Sequence, residues 1–286
     1  TKTNLPNYSE FYELRHFTPG MEAPVMTDWQ DTQVSMGTNL LFTCKEYPKL
    51  TVAAEICEDV WSPVPPSTLA AREGATVIVN CSASDETIGK ASYRESLIEG
   101  QSARLICGYI YANAGEGEST TDLVFGGHNI IAENGTTLVS SERFRNEVIY
   151  TELDVKRLLS ERRKNRTFQT EKERMLIRIP FSIHVEETEL TRKFASRPFV
   201  PSVMAERNLR CEEILTIQAM GLKKRLAHAH AKSAVVGISG GLDSTLALLV
   251  SAKAFDALGM DRSGITAVTM PCFGTTDRTY QNACKM

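Results

Sequence analysis

One stretch of eleven residues, Val235 to Thr245, constrains the fold more than any other because it combines a strand, a glycine turn and a helix start. The apolar run Ala234 to Val236 predicts a short buried strand, and the apolar positions between Leu246 and Phe255 predict a helix. A strand that passes through glycines into a helix is the first half of a β–α–β unit. The stretch therefore predicts an α/β fold with a parallel sheet.

The turn in this stretch has the composition of a phosphate-binding loop. Gly240 and Gly241 let backbone N–H groups approach an anion closely because no Cβ is in the way. Hydroxyl groups at Ser239 and Ser244 add donors beside the positive end of a helix. Asp243 suits magnesium when the metal also contacts phosphate oxygens. The lysine of a Walker loop is absent from this stretch, so transfer of a γ-phosphate is not expected.

The run Ser-Gly-Gly-Leu-Asp-Ser resembles the SGGxDS signature of the ATP pyrophosphatases. Those enzymes adenylate an oxygen atom, release pyrophosphate and let a nucleophile displace AMP. The resemblance implies binding of ATP as its Mg²⁺ complex, with Asp243 as the metal ligand. The implied ATP-binding positions are Gly237, Ile238, Ser239, Gly240, Gly241, Leu242, Asp243 and Ser244. The alternative is a glycine-rich turn that binds no ligand.

The bulk composition places limits on the class of protein. The chain has 286 residues, of which 42% are hydrophobic and 23% are charged, and this predicts two folded domains. A net charge of -3 and the lack of a long apolar run argue against a nucleic-acid or membrane binder and favour a cytoplasmic setting. Seven cysteines without CxxC spacing predict neither a zinc site nor a disulfide framework. Because the chain starts without Met and stops soon after the loop, we expect a fragment lacking both ends.

A second candidate site lies upstream, where the predicted strand Leu50 to Ile56 ends at Cys57. At such a turn a thiol can be exposed while the backbone N–H of Glu58 faces a developing oxyanion. Most cysteines that follow an apolar run are inert core residues, so position alone leaves both interpretations open.

Two segments, Lys2 to Phe17 and Glu55 to Asp59, resemble the lysine and cysteine segments of the nitrilase superfamily. In that superfamily a Glu, a Lys and a Cys form a triad that attacks an amide carbonyl. The resemblance assigns catalysis to Cys57 and Lys2, with Glu13 as a supporting carboxylate. A nearby cation makes physical sense because a thiol of pKa ~8.5 is only slightly ionised at neutral pH. The triad Glu belongs to a region that this chain lacks, so we expect no amide hydrolysis by these 286 residues alone.

The resemblance extends to a pocket for glutamine. The apolar run Ala75 to Asn80 predicts a strand, and a polar loop follows it. In glutamine-using members of the superfamily, the implied contacts with glutamine are those of Tyr8, Glu58, Ser84 and Lys90. Ser84 and Lys90 would hold the α-amino and α-carboxylate ends. For Lys90 a surface lysine at a helix start is the alternative.

Other patterns predict scaffold elements. They are a hairpin over His128 to Val139 with its turn at Asn134-Gly135, a strand over Val148 to Leu153, and helices over Val155 to Arg163 and Cys211 to Leu226.

An amidase ahead of an ATP pyrophosphatase resembles the glutamine-dependent NAD synthetases over essentially the whole chain. The implied domains are a glutaminase domain at 1–175, a linker at 176–204 and an ATP-binding NAD synthetase domain at 205–286. The implied fold is a partial nitrilase-type α-β-β-α sandwich followed by the first part of a Rossmann-like parallel sheet. The implied reaction amidates deamido-NAD to NAD with ATP and glutamine, in a homo-oligomer, with no nucleic-acid or membrane partner.

Two alternatives stay open. One is another glutamine-fed amidoligase of the ATP pyrophosphatase type, similar to the GMP synthetases, whose usual amidase carries a Cys-His-Glu triad. The pairing of Lys2 with Cys57 argues against that alternative. The other is a truncated, catalytically inactive protein that acts only in the assembly of a complex.

Overall fold

The computed structural model describes residues 1–118, 122–168, 176–187 and 189–286. The chain divides into two compact units, Thr1–Arg192 and Lys193–Met286. The predicted domain boundary at residue 175 lies outside the described residues. Within the described ranges, no helix has the length and apolar character needed to cross a membrane.

Unit 1 consists of strands and helices that alternate through its middle part, as the sequence predicts. Its strands are β1 (Asn7–Tyr8), β2 (Phe11–Tyr12), β3 (Val25–Trp29), β4 (Thr32–Met36), β5 (Leu40–Cys44), β6 (Thr51–Ile56), β7 (Val77–Ser82), β8 (Gly108–Asn113), β9 (Ile130–Glu133), β10 (Thr136–Ser140) and β11 (Ile177–Phe181). Its α-helices are α1 (Pro66–Arg72), α2 (Lys90–Leu105) and α3 (Val155–Lys164). Short 3₁₀ helices follow β2 and β6, at Glu13–Arg15 and Cys57–Trp61.

Seven of these strands form one sheet in the order β10-β9-β8-β7-β6-β5-β11. Strands β6, β7 and β8 run parallel in its centre, and the carboxyl ends of β6 and β7 lie side by side because Ile56 is in register with Cys81. Helices α1 and α2 contact each other and the sheet, and the core between them contains Ile78, Ile98 and Tyr109. The α/β class is confirmed. The four-layer sandwich stays a prediction, since the described residues form one large sheet.

Local turn chemistry was predicted well where it depends on neighbouring residues. Asn134 and Gly135 both have positive φ angles, 46° and 85°, and they join β9 to β10 as predicted. The predicted strand over Val148 to Leu153 is wrong, because these residues pair with no strand. Leu153 instead packs over Gly108, and the backbone N–H of Asp154 donates to Glu133 at 2.6 Å, so this segment is held by side chains.

Unit 2 contains one β–α–β unit and two further helices. Its elements are α4 (Met204–His228), β12 (Ala234–Gly237), α5 (Leu242–Leu258), β13 (Ile265–Val268) and α6 (Asp277–Lys285). Strands β12 and β13 are parallel, and α5 connects them through a short 3₁₀ turn. Helix α4 extends beyond its predicted bounds and packs against α5, where Lys253 pairs with Glu212. This is the parallel β–α–β arrangement that the glycine turn predicts.

Candidate active sites

Cys57 lies at the predicted strand end, directly after β6 and at the start of a 3₁₀ helix. Its φ angle is 48°, in the left-handed region that a residue with a side chain rarely adopts. The backbone N–H of Cys57 donates to Oδ1 of Asn80 at 3.1 Å. The thiol is partly exposed and forms no disulfide. The turn therefore presents a free thiol at the carboxyl edge of the sheet.

The N-terminal segment is attached to this turn by a buried carboxylate. Asp59 is 1% exposed and accepts hydrogen bonds from the backbone N–H groups of Thr3 and Asn4 at 3.1 and 2.7 Å. The same carboxylate accepts from the backbone N–H of Ile56 at 2.9 Å. Through Asp59, the segment that carries Lys2 is bonded to the turn that carries the cysteine.

Lys2, Glu13 and Cys57 line one cavity of about 920 Å³. Lys2 forms an ion pair with Glu13, and its side chain is only 11% exposed. The structure thus brings together the three residues that the sequence predicts for catalysis.

A second, smaller cavity of about 210 Å³ also reaches Cys57. It is lined by all four residues predicted to bind glutamine, Tyr8, Glu58, Ser84 and Lys90. The hydroxyl of Tyr8 donates to the Glu58 carboxylate, with both oxygens at 2.9 Å. Burial raises the pKa of Glu58 against the opposing effect of this bond, and burial together with the carboxylate raises the pKa of Tyr8.

Lys90 is oriented by residues that the sequence analysis did not single out. It forms an ion pair with Asp85, whose side chain is 4% exposed. Its ammonium nitrogen also lies 5.6 Å from the ring centroid of Phe11 and 5.8 Å from that of Trp61. Both distances are within the range of cation–π attraction. Trp61 lies four residues after Cys57, and this closeness in sequence was the one feature that could have indicated its place at the site.

Ser84 is fixed by the half-buried side chain of Asn113 and the buried side chain of Arg94. The amide of Asn113 accepts from the backbone N–H of Ser84 at 2.8 Å and donates to its carbonyl oxygen at 2.9 Å. Arg94 donates to the Ser84 hydroxyl at 3.4 Å and forms a buried ion pair with Glu86 at 2.7 Å. Neither Asn113 nor Arg94 stands in a recognisable motif, so no pattern in the sequence indicates their role.

In unit 2, the predicted phosphate loop connects β12 to α5. Gly240 has a φ angle of 78°, and a Cβ at this position would overlap the backbone oxygen of Thr279. The hydroxyl of Ser244 accepts from the backbone N–H of Ser239 at 3.2 Å and donates to the carbonyl of Gly241 at 3.1 Å. These bonds hold the loop compact. Helix α5 begins at Leu242 without a side-chain cap, and the N–H groups of its first turn point towards the loop.

The eight predicted ATP-binding positions differ in their surroundings. Ile238 is buried, and its backbone N–H donates to Val268 at 2.8 Å, so it anchors the loop. Leu242 and Gly237 are exposed. Gly240, Gly241 and Leu242 line a cavity of about 560 Å³ together with Arg278 and Lys285 of α6, two cations that the sequence analysis missed.

Asp243 is the residue predicted to hold a magnesium ion. Asp243 is an exposed carboxylate in the first turn of α5. Among the described residues, no group of three or more His, Cys, Asp or Glu side chains could hold a metal ion. A single carboxylate fits a metal that arrives with phosphate oxygens rather than one held by the protein alone.

Comparisons with known proteins identify one matching family and several similar sequences. The profile of the NAD synthase family matches residues 214–286. The glutamine-dependent NAD(+) synthetase of Mycobacterium leprae is 42% identical over 295 aligned residues, which cover 100% of this chain and 43% of that protein. The enzyme of the same name from Mycobacterium tuberculosis is 41% identical over the same shares.

Solved structures give weaker likenesses. A glutamine-dependent NAD(+) synthetase from Cytophaga hutchinsonii is 21% identical, with a TM-score of 0.46 over 99% of this chain and 44% of that one. The chain spans less than half the length of these three proteins. Over its whole length it is similar in sequence to part of the two mycobacterial glutamine-dependent NAD(+) synthetases.

Proposed function

We propose that this chain is part of an enzyme that converts deamido-NAD to NAD with ATP and glutamine, releasing AMP and pyrophosphate. Unit 1 would take ammonia from glutamine, and unit 2 would bind the ATP that adenylates the nicotinate carboxylate. The observation that carries the proposal is the position of Cys57, which lines both the cavity of Lys2 and Glu13 and the pocket of the four predicted glutamine contacts.

In unit 1, the thiol of Cys57 gives up its proton and its sulfur attacks the side-chain amide carbon of glutamine. The released proton passes to the amide nitrogen, so that the carbon–nitrogen bond breaks, ammonia leaves and a thioester remains. The Lys2 ammonium, paired with Glu13, stabilises negative charge on the sulfur and on the carbonyl oxygen. Water then cleaves the thioester to give glutamate. The backbone N–H of Glu58, the next along the turn, is a further donor for the oxyanion.

The smaller pocket matches the two charged ends of glutamine. The carboxylate of Glu58 and the hydroxyl of Ser84 suit the α-ammonium group, while Lys90 suits the α-carboxylate. Because Lys90 is already paired with Asp85, the substrate carboxylate must share or replace that partner.

In unit 2, the loop from Ser239 to Ser244 would bind the pyrophosphate part of ATP through backbone N–H groups and hydroxyls. Arg278 and Lys285 would add positive charge from the facing side of the cavity. Asp243 would hold Mg²⁺, which supplies charge neutralisation to the phosphates. The resemblance further implies that the enzyme works as a homo-oligomer in the cytoplasm.

The test uses a chimera in which these 286 residues replace the matching 43% of the Mycobacterium leprae relative. We expect NAD formation from deamido-NAD and ATP with either glutamine or ammonium as nitrogen donor. Cys57→Ala should abolish the glutamine-dependent reaction and keep the ammonium-dependent one. Cys211→Ala, which removes an exposed thiol from α4, is the matched control. Loss of the reaction with both donors in Cys57→Ala would contradict the proposed division of labour.

A further inference from the structure

A chain of buried polar side chains lies behind the cysteine turn. Oδ1 of Asn80 accepts from the backbone N–H of Cys57 at 3.1 Å and from the hydroxyl of Ser82 at 2.7 Å. Nδ2 of Asn80 donates to the hydroxyl of Tyr109 at 3.3 Å, and that hydroxyl donates to the carboxylate of Glu55. The mechanism proposed above uses none of these side chains.

The donor and acceptor of every hydrogen bond in this series follow from the bond between Cys57 and Asn80. A backbone N–H can only donate, so the Asn80 atom that faces Cys57 is the oxygen. The amide nitrogen then faces Tyr109 and must donate, which leaves the proton of the Tyr109 hydroxyl for Glu55. The orientation of the Asn80 amide is therefore set at one end by Cys57 and at the other by the Tyr109–Glu55 pair.

Burial makes this arrangement rigid. Asn80 is 1% exposed, Tyr109 is 0% exposed and Glu55 is 2% exposed. The second oxygen of Glu55 accepts from the backbone N–H of Ser67 at 2.9 Å. A buried polar group that loses its partner is costly, so each member holds the next in place.

The backbone of Cys57 needs such support. A non-glycine residue in the left-handed region is strained and persists only where its surroundings enforce that conformation. Here two consecutive N–H groups are held, that of Ile56 by Asp59 and that of Cys57 by Asn80. A turn held at both N–H groups aims the thiol in a fixed direction.

We propose that Asn80 is a positioning residue for the Cys57 nucleophile and that Tyr109 and Glu55 orient it. The inference rests on the proposed role of Cys57. Without the Asn80 acceptor, the backbone of Cys57 relaxes and its thiol moves away from Lys2. The thiol then reacts more slowly with an electrophile, although the cavity remains open.

The first measurement is the rate at which iodoacetamide alkylates each cysteine of the 286-residue chain, followed by peptide mass spectrometry. Cys81 lines the same larger cavity and reports access to it, whereas the fully buried Cys44 and Cys107 report general opening. In Asn80→Ala we expect the ratio of Cys57 to Cys81 rates to fall about 3- to 10-fold, the equivalent of one hydrogen bond.

Two further variants separate positioning from stability. Tyr109→Phe removes one hydroxyl and should lower the same ratio by a smaller factor. Asn129→Ala is the matched control, because the Asn129 amide oxygen accepts the backbone N–H of Asn113 at 2.9 Å, a bond of the same kind between β8 and the residue before β9. It should leave the ratio unchanged.

The second measurement is the exchange rate of the Cys57 backbone amide, read by NMR on cysteine-labelled chain. It does not depend on the chemistry of the thiol. We expect exchange at Cys57 to accelerate about tenfold in Asn80→Ala and not in Asn129→Ala. An unchanged exchange rate, an unchanged or raised alkylation ratio, or a lowered ratio with faster labelling of Cys44 and Cys107 would overturn the inference. Failure of the chimera assay would instead count against the proposed function.

Discussion

The carboxylate of Asp59 accepts a 2.7 Å hydrogen bond from the backbone N–H of Asn4, which precedes it by 55 residues. The same carboxylate accepts from the backbone N–H of Ile56, one residue before the cysteine. One buried group therefore sets the position of the Lys2 segment relative to the Cys57 turn. Neither catalytic candidate needs a direct bond to the other for their geometry to be fixed.

Replacing this carboxylate should loosen both segments. In Asp59→Asn, one oxygen becomes an amide NH₂ that cannot accept, so a buried backbone N–H loses its partner. We expect the free energy of unfolding in urea to fall by about 1–3 kcal/mol. Hydrogen exchange at Thr3 and Asn4 should also become faster.

Asp28→Asn is the control for this change, because Asp28 is an exposed carboxylate in the β3–β4 hairpin that bonds to the side chain of Gln33. It should alter the unfolding free energy by less than about 0.5 kcal/mol. Equal effects of the two substitutions would contradict the role given to Asp59.

The ammonium group of Lys2 should activate the thiol. Lys2→Met keeps an unbranched apolar stem and removes a positive charge from the cavity that Cys57 lines. We expect alkylation of Cys57 by iodoacetamide to slow about tenfold relative to Cys81, the size of an electrostatic contribution of ~1.4 kcal/mol. Lys45→Met, which removes an exposed charge elsewhere in unit 1, should leave the ratio unchanged. A Lys2→Met chain with the original ratio would remove the lysine from the mechanism.

The sequence predicted the features that depend on neighbouring residues. The hairpin turn at Asn134-Gly135, the end of β6 at Cys57 and the glycine turn before α5 all follow from local propensity and hydrophobic pattern. The prediction of a strand starting at Val148 was wrong because it also relied on local pattern. Local pattern does not show whether the edge of a neighbouring strand is available for pairing. Val148 is 90% exposed.

The supporting groups of the site could not be predicted in this way. Asn80 and Asp59 bond to backbone groups 23 and 55 residues away, and nothing in one sequence specifies those pairs. The residues predicted for catalysis and for the glutamine pocket could be proposed because a family resemblance carries long-range information. Such a resemblance identifies residues that react or bind, and it leaves out the residues that hold them.

His128 should make unit 1 sensitive to acid. Its Nδ1 lies 3.1 Å from the Arg94 guanidinium, which can only donate, so Nδ1 accepts and the ring is neutral. Burial and the positive charge of Arg94 lower the pKa of His128 below its ordinary 6.5. The unfolded chain therefore binds the proton first as pH falls. The stabilisation that neutral His128 contributes to the folded state is present above about pH 6.5. It is lost as the pH drops through the lowered pKa of His128.

Urea unfolding from about pH 7.5 to about pH 5 measures this effect. His128→Gln should reduce the loss of stability across that range, whereas His184→Gln, at an exposed site, should reproduce the original slope. If His128→Gln and the unaltered chain lose stability in parallel, the acid sensitivity arises from other groups.

The phosphate loop should tolerate no side chain at Gly240. Alanine there would meet two penalties, a φ angle of 78° and overlap of its Cβ with the backbone oxygen of Thr279. The left-handed backbone alone costs about 1 kcal/mol, and relief of the overlap would displace α6 with Arg278 and Lys285 from the loop. We therefore expect Gly240→Ala to weaken binding of Mg²⁺–ATP at least tenfold in calorimetric titration, a loss of ~1.4 kcal/mol.

Gly221→Ala makes the same chemical change in the middle of α4, where no atom lies within 4 Å of the added Cβ. A helical position with free space favours alanine, so this variant should raise the unfolding free energy by about 0.5–1 kcal/mol and leave ATP binding unchanged. A loss of ATP affinity in Gly240→Ala and none in Gly221→Ala would show that the backbone conformation of Gly240 and its contact with Thr279 decide the outcome. Equal ATP affinity in both variants would mean that the loop closes on phosphate without support from α6.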